Sequence, residues 1–295
     1  MTLLGTLRRL LSARDAFDRN YFNDSPWGER LRNQRAVLER DDPFAAASLD
    51  VVKNLVSEAH SGIRMVVNIT ADALLKFLDS GHYKNLYENP VVGGRSRMPS
   101  RERTEVDELL GFDDPSKYYF GAVALGGTGI RFYGEYCMVI RAGAEGADAR
   151  LFDRDSYDLL LSPLAAHKRR MALCLRGQWR ADLLPMVALK VLPGFRHQQR
   201  VATAGLIAGD LLRDQEFIEV HKRGPITTDG IEEIRLSPDE LARDYQGHLE
   251  EAASEAPSGA RMIWADRREQ VLEAMRARGI RTRVVAGYER GYGWE

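Results

Sequence analysis

The sequence predicts a mixed α+β domain, and three observations carry that prediction. Runs rich in β-branched and aromatic residues read as strands at 63–70, 118–125 and 132–140. Helical periodicity dominates 1–60 and 163–213. With 295 residues, 44% of them hydrophobic, the chain has enough apolar surface for a sizeable core. No internal repeat, low-complexity tract or linker interrupts it, so the expected organisation is one compact α+β domain over 61–295 with an N-terminal helical extension over 1–60.

Charge and cysteine usage narrow the class. The 42 basic and 43 acidic residues give a formal net charge of −1, which excludes the overall polycationic character of a protein that coats nucleic acid. Cys137 and Cys174 have no partner at metal-ligand spacing, so neither a zinc site nor a disulfide framework is expected, and a reducing compartment suits the chain. No apolar run approaches the ~18 residues of a membrane span. The opening Met1-Thr2-Leu3-Leu4 stretch is broken by Arg8 and Arg9 and carries no cleavage signature. The expectation is a cytoplasmic protein, or one delivered into a target cell without a classical signal peptide.

Taken in order, Leu3, Leu7, Leu10 and Leu11 form a helical stripe. After a break at Pro26 a second helix is expected from Glu29 to Arg40, and a third from Ala45 to His60. Arginines are dense here, and either a solvated face or a partner-binding surface accounts for them. Ile63 to Thr70 reads as a strand, with Thr70 as the N-cap of a helix over Asp72–Asp79 that closes at Ser80-Gly81. Tyr83-Lys84-Asn85-Leu86-Tyr87-Glu88 and an Arg-rich loop (Arg95, Arg97, Arg101, Arg103) follow, then a helix from Glu102 to Leu110. The strands 118–125 and 132–140 are expected to form a hairpin through Gly126-Gly127-Thr128-Gly129, which reads as a turn rather than a phosphate cradle because no P-loop Lys-Ser/Thr follows. Beyond a short strand at 149–152, Pro185 and Pro193 mark breaks in the helical part. Strands at 230–236, 261–264 and 281–285, with a helix over 267–278, complete the expectation.

One stretch carries the chemistry. From Gln215 to Ile226 polar and apolar residues alternate before Gly224-Pro225, so Phe217, Glu219 and His221 share one face of a strand while Glu216, Ile218 and Val220 share the other. Glu219 therefore leans into whatever Phe217 covers, where its pKa can be tuned and its charge aimed. Glu216 is expected at the surface.

In sequence order, strand 63–70, the Tyr83-Lys84-Asn85-Leu86-Tyr87-Glu88 block, the Arg-rich loop, Tyr119-x-Gly121-Ala122, Tyr133-Gly134 and Phe217-Ile218-Glu219 before Gly224-Pro225 resemble an uncharacterised bacterial domain family over roughly residues 62–240. More distantly the layout resembles mono-ADP-ribosyltransferases. That resemblance implies a pair of packed antiparallel sheets with flanking helices, NAD as co-substrate and no metal. It also implies a single catalytic glutamate, Glu219, and contacts to NAD from Asn68, Thr70, Tyr83, Asn85, Tyr87 and Arg97.

The residue types suit such chemistry. A carboxylate stabilises the oxocarbenium-like state formed when the nicotinamide–ribose bond breaks, arginine holds pyrophosphate, and tyrosine rings stack on nicotinamide. The expected protein is a bacterial effector or toxin that modifies a macromolecular acceptor, protein or nucleic acid, with no integral membrane association and a partner-binding role open to the N-terminal helices. Two alternatives stand beside it: a catalytically inactive interaction module working through the basic helices and loop, and a metal-independent nuclease built on His82, Lys84 and Glu88.

Overall fold

The computed structural model describes residues 25–57, 62–85, 87–88, 91–92, 95–96, 101–212, 217–239, 241–242, 249, 253 and 259–285. The leucine stripe at 3–11 and Glu216 lie outside them. Two helices come first, α1 (Pro26–Asp41) and α2 (Pro43–Ser57). Pro26 starts α1: Ser25 caps the N-terminus by accepting from the Gly28 N–H at 3.1 Å, and a proline at N1 has no N–H to leave unsatisfied. Asp42 does the same for α2, accepting from the Ala45 N–H at 3.0 Å. Trp27, Leu31, Leu38, Leu49 and Val52 belong to the same buried apolar cluster as the sheet, and the Trp27 indole donates to the Arg176 carbonyl at 2.6 Å.

Strand β1 (Ile63–Ile69) runs into α3 (Ala71–Ser80) through Thr70, whose Oγ1 accepts from the Ala73 N–H at 3.4 Å. Gly81 ends the helix in a left-handed conformation. A two-stranded ribbon, β2 (Val91–Val92) and β3 (Arg95–Ser96), precedes α4 (Arg101–Leu110) and β4 (Tyr118–Leu125). Then come β5 (Tyr136–Ile140), β6 (Arg150–Phe152), α5 (Ala165–Cys174), β7 (Arg176–Gln178), α6 (Trp179–Val191) and α7 (Ala204–Leu211). The chain continues through β8 (Glu219–Arg223), β9 (Ile231–Leu236), α8 (Gly259–Ala277) and β10 (Thr282–Val284).

The class is mixed α and β, as expected. The described strands pair into one eight-stranded sheet, ordered β10-β9-β5-β1-β4-β8-β6-β7, beside the ribbon. The two-sheet arrangement implied by the resemblance is not the pairing they show. Every pair in the large sheet is antiparallel except β9 with β10. Ile63, Met65, Val67, Met138, Ile218, Val220 and Ile234 face the main core, while Val66, Ala122, Cys137, Val139 and Phe217 face the opposite side. No described helix is long and apolar enough to cross a membrane.

Three local expectations are corrected. First, 118–125 and 132–140 are not a hairpin: β4 and β5 flank β1 and run parallel to each other, so the segment between them passes from the start of β1 over the face that carries Asn68 to its end. Asn68 ties that crossing down, as shown below. Residues 131–133 are a 3-10 turn, so the second strand starts at Tyr136. Second, Pro185 sits inside α6 without ending it. Third, 261–264 is the first part of α8 rather than a strand: its two strand-favouring residues, Ile263 and Trp264, are continued by the helix-forming run that follows to Ala277.

The close β1–β4 contact gives a direct prediction. A Cβ at Gly121 would lie 2.5 Å from the Val66 carbonyl oxygen and 2.8 Å from Met65 Cε. The first obstacle is backbone in the middle of a sheet and cannot swing aside. Gly121→Ala is therefore expected to destabilise by about 1–3 kcal/mol, seen as a lower urea midpoint.

Candidate functional site

Strand β8 delivers Glu219 to the site. Its alternation sends Ile218 and Val220 to the core and Phe217, Glu219 and His221 to the other face. In register, Glu219 sits between Ala122 on β4 and Phe152 on β6. The small Ala122 leaves room for the carboxylate. Glu219 Oε2 accepts from the Ser156 N–H at 2.8 Å, and His221 Nε2 lies 3.5 Å away. The His221 ring is walled by Phe112 and Phe120, each with its centroid 5.2 Å away, and by Phe152 at 6.3 Å. Its Nε2 is buried with no hydrogen-bond partner.

Arg103, on α4, closes the same side. Its Nε donates to Asp107 Oδ1 at 2.8 Å, and its guanidinium lies 4.0 Å over the Phe120 ring and 5.6 Å from the Tyr157 ring. Burial pushes Glu219 toward the neutral form. The adjacent His221 ring, the Arg103 guanidinium and the Ser156 N–H outweigh it and hold the carboxyl below the usual range. These neighbours favour the ionised form of a buried carboxyl.

Its linkage to stability follows in sign. A carboxyl with a depressed folded pKa adds stability above its unfolded value near 4.5 and loses it as pH falls through the folded value. Glu233, depressed by Arg235 beside it against the opposing effect of burial, acts in the same direction. Urea midpoints of the wild type are therefore expected to fall more steeply below pH 4.5 than those of Glu219→Gln.

The mouth is aromatic and acidic. Asp155, at the end of the turn after β6, accepts from the Tyr157 N–H at 2.9 Å through Oδ1 and from the Tyr133 hydroxyl at 3.1 Å through Oδ2. Tyr133 and Tyr157 are 47% and 41% exposed, so ring area remains for a substrate, and Tyr133 also meets Phe217 edge-on with centroids 6.5 Å apart. The hydroxyl of Ser156 is buried and has no hydrogen-bond partner.

The residues assigned to NAD by resemblance are not gathered at this mouth. Asn68 is on the same face as Glu219, but Val66, two residues before it, is itself two strands from Glu219, placing Asn68 roughly 12 Å away by sheet spacings. Its amide is occupied within the fold. Thr70 is the cap of α3. Tyr83 belongs with the core side of the sheet, where its ring meets Tyr119 at 6.2 Å. It also lines a cleft of about 520 Å³ with Lys76, Phe77, His82 and Lys84, on the α3 side and away from Glu219. Arg97 lies outside the described residues.

The Tyr-Lys-Asn-Leu-Tyr-Glu block has a clear structural logic. Asn85 Oδ1 accepts from the N–H groups of Tyr87 and Glu88 at 2.9 and 3.0 Å, and Glu88 Oε2 accepts in return from the Asn85 N–H at 3.0 Å. This reciprocal pair is built like a capping box. The Asn85 amide is pinned to the carbonyls of Ser116 and Tyr118, and Glu88 Oε2 also accepts from the Tyr119 hydroxyl at 2.6 Å. Glu88 Oε2 is therefore engaged by the turn backbone and the Tyr119 hydroxyl. The turn delivers Tyr87, whose hydroxyl donates to Asp107, the partner of Arg103. Of the five described residues among the six, Tyr87 alone reaches the Glu219 site, indirectly through Asp107 and Arg103.

The residues that do surround Glu219 were missed as a group. The sequence places Arg103 in an Arg-rich loop and Asp155-Ser156 in the connection after a short strand, and neither pattern points to Glu219. Among the described residues no three metal-ligating side chains converge. No family model matches the chain, and no curated protein matches it.

Proposed function

We propose that the protein is an NAD-dependent ADP-ribosyltransferase-like enzyme of the effector or toxin kind, with Glu219 as its catalytic carboxylate and a protein or nucleic acid as acceptor. One observation carries the reading: Glu219 is a buried carboxyl bonded to the Ser156 N–H, held below the usual range by His221 and Arg103, and close enough to the half-exposed Tyr133 for its charge to push that hydroxyl's pKa up. A fixed negative charge in a site of low dielectric stabilises the positive charge that develops on ribose as nicotinamide departs. Nicotinamide leaves as a neutral molecule, so the bond needs no acid to break. Tyr133 and Tyr157 offer faces for an aromatic leaving group. The continuous sheet differs from the two-sheet core of the proteins resembled, so support comes from the carboxylate and its surroundings rather than from topology. Incubation with NAD tests the reading: free nicotinamide is expected to accumulate, and none above the buffer blank would sink it.

A further inference from the structure

We infer that Asp155 is the proton acceptor for the incoming nucleophile, so that the acceptor is a group carrying a proton, such as water, a hydroxyl or a guanidinium, and not a carboxylate. The inference rests on the reading of Glu219 above and names a second catalytic residue for that site. Asp155 and Ser156 are consecutive, and the Ser156 N–H is the one bound by Glu219 Oε2, so a single peptide unit links the two carboxylates. Glu219 is buried, 6% exposed. Asp155 is half-buried, and its Oδ2 accepts from the hydroxyl of the half-exposed Tyr133.

The groups facing Asp155 are Tyr133 from the turn before β5, Glu219 from β8, and Tyr157 and Asp158 from its own turn. Burial first, and then the Glu219 charge, push its carboxyl up from the ordinary value, which makes it a stronger base than an exposed aspartate. Both oxygens accept hydrogen bonds, from Tyr133 and the Tyr157 N–H, an arrangement that suits the ionised form. A neutral leaving group gives Asp155 nothing to protonate. The use left for a basic, half-buried carboxylate is to receive a proton. In the step, the C1′–N bond breaks and its electron pair leaves with nicotinamide. An acceptor lone pair then bonds C1′, and the acceptor proton passes to Asp155 and on to solvent. A carboxylate acceptor has no proton to give, so its attack would make no use of Asp155.

Asp155 also caps the 3-10 turn at 156–161, so the test must separate that role from chemistry. Asn caps as well as Asp, so Asp155→Asn is expected to keep the fold, checked by circular dichroism and thermal melting. Wild type, Asp155→Asn and Glu219→Gln are each given NAD with water alone, with agmatine and with azide. Azide attacks without losing a proton. The expected result for Asp155→Asn is hydrolysis and agmatine transfer slowed by about 100-fold or more, with ADP-ribosyl azide still formed. Wild-type hydrolysis by Asp155→Asn, or azide transfer lost in step with hydrolysis, would overturn the role of Asp155 while leaving Glu219 in place. Wild-type nicotinamide release by Glu219→Gln, or none by the wild type with any acceptor, would instead overturn the underlying reading and Asp155 with it.

Discussion

Glu219→Gln is expected to lower nicotinamide release from NAD by about 10²–10³-fold, the loss seen when one fixed electrostatic contact to a transition state is removed. The substitution is nearly isosteric and removes only the charge. A glutamine oxygen can still accept from the Ser156 N–H, and Phe217, Ala122 and Phe152 bound the same space. The effect is expected in kcat more than in KM, because the carboxylate acts on charge that appears as the bond breaks. Removing the charge from beside His221 and Arg103 also removes the stability that its depressed pKa contributes at neutral pH, so the melting temperature is expected to fall, and turnover is compared well below both melting points, where kcat still collapses. Equal kcat in both proteins would remove Glu219 from the chemistry.

How far the site could be read from sequence depends on distance along the chain. The face of Glu219 was legible, because strand alternation is strict and Phe217, Glu219 and His221 must share a side. Strand β1, the α3 cap at Thr70 and the glycine end at Gly81 were legible for the same local reasons. What surrounds Glu219 was not. Arg103 is 116 positions earlier and Asp155 is 64 earlier, and they meet it because β8 pairs with β4 on one side and β6 on the other. Local pattern carries no record of such pairing. The false hairpin has the same origin: consecutive strands joined by a glycine-rich segment usually pair, and here β1 takes the place between them. The Tyr-Lys-Asn-Leu-Tyr-Glu block was recognisable as a dense polar motif. That its Asn and Glu satisfy one another's backbone needed the coordinates to show.

Asn68 is the clearest case of a residue whose polarity suggested a ligand and whose surroundings give it another task. Its Nδ2 donates to the carbonyls of Thr128 and Gly134, each at 2.9 Å, and its Oδ1 accepts from the Ile130 N–H at 2.7 Å. Three backbone groups of the segment that crosses β1 are therefore satisfied by one buried side chain. Gly129, with φ +67°, passes so close that a Cβ there would collide with Oδ1, and Gly134 lies against the Ile69 backbone. Asn68→Ala leaves two carbonyls and one N–H buried without partners. At the usual cost of such groups the loss is expected to be about 2–4 kcal/mol, or roughly 5–10 °C in melting temperature. Asn68→Asp should be worse, since a carboxylate would face two carbonyl oxygens that need donors. The KM for NAD in the fraction that stays folded is expected to remain close to wild type. A variant that melts like the wild type but binds NAD more weakly would return Asn68 to the substrate site and release the crossing segment from its dependence on it.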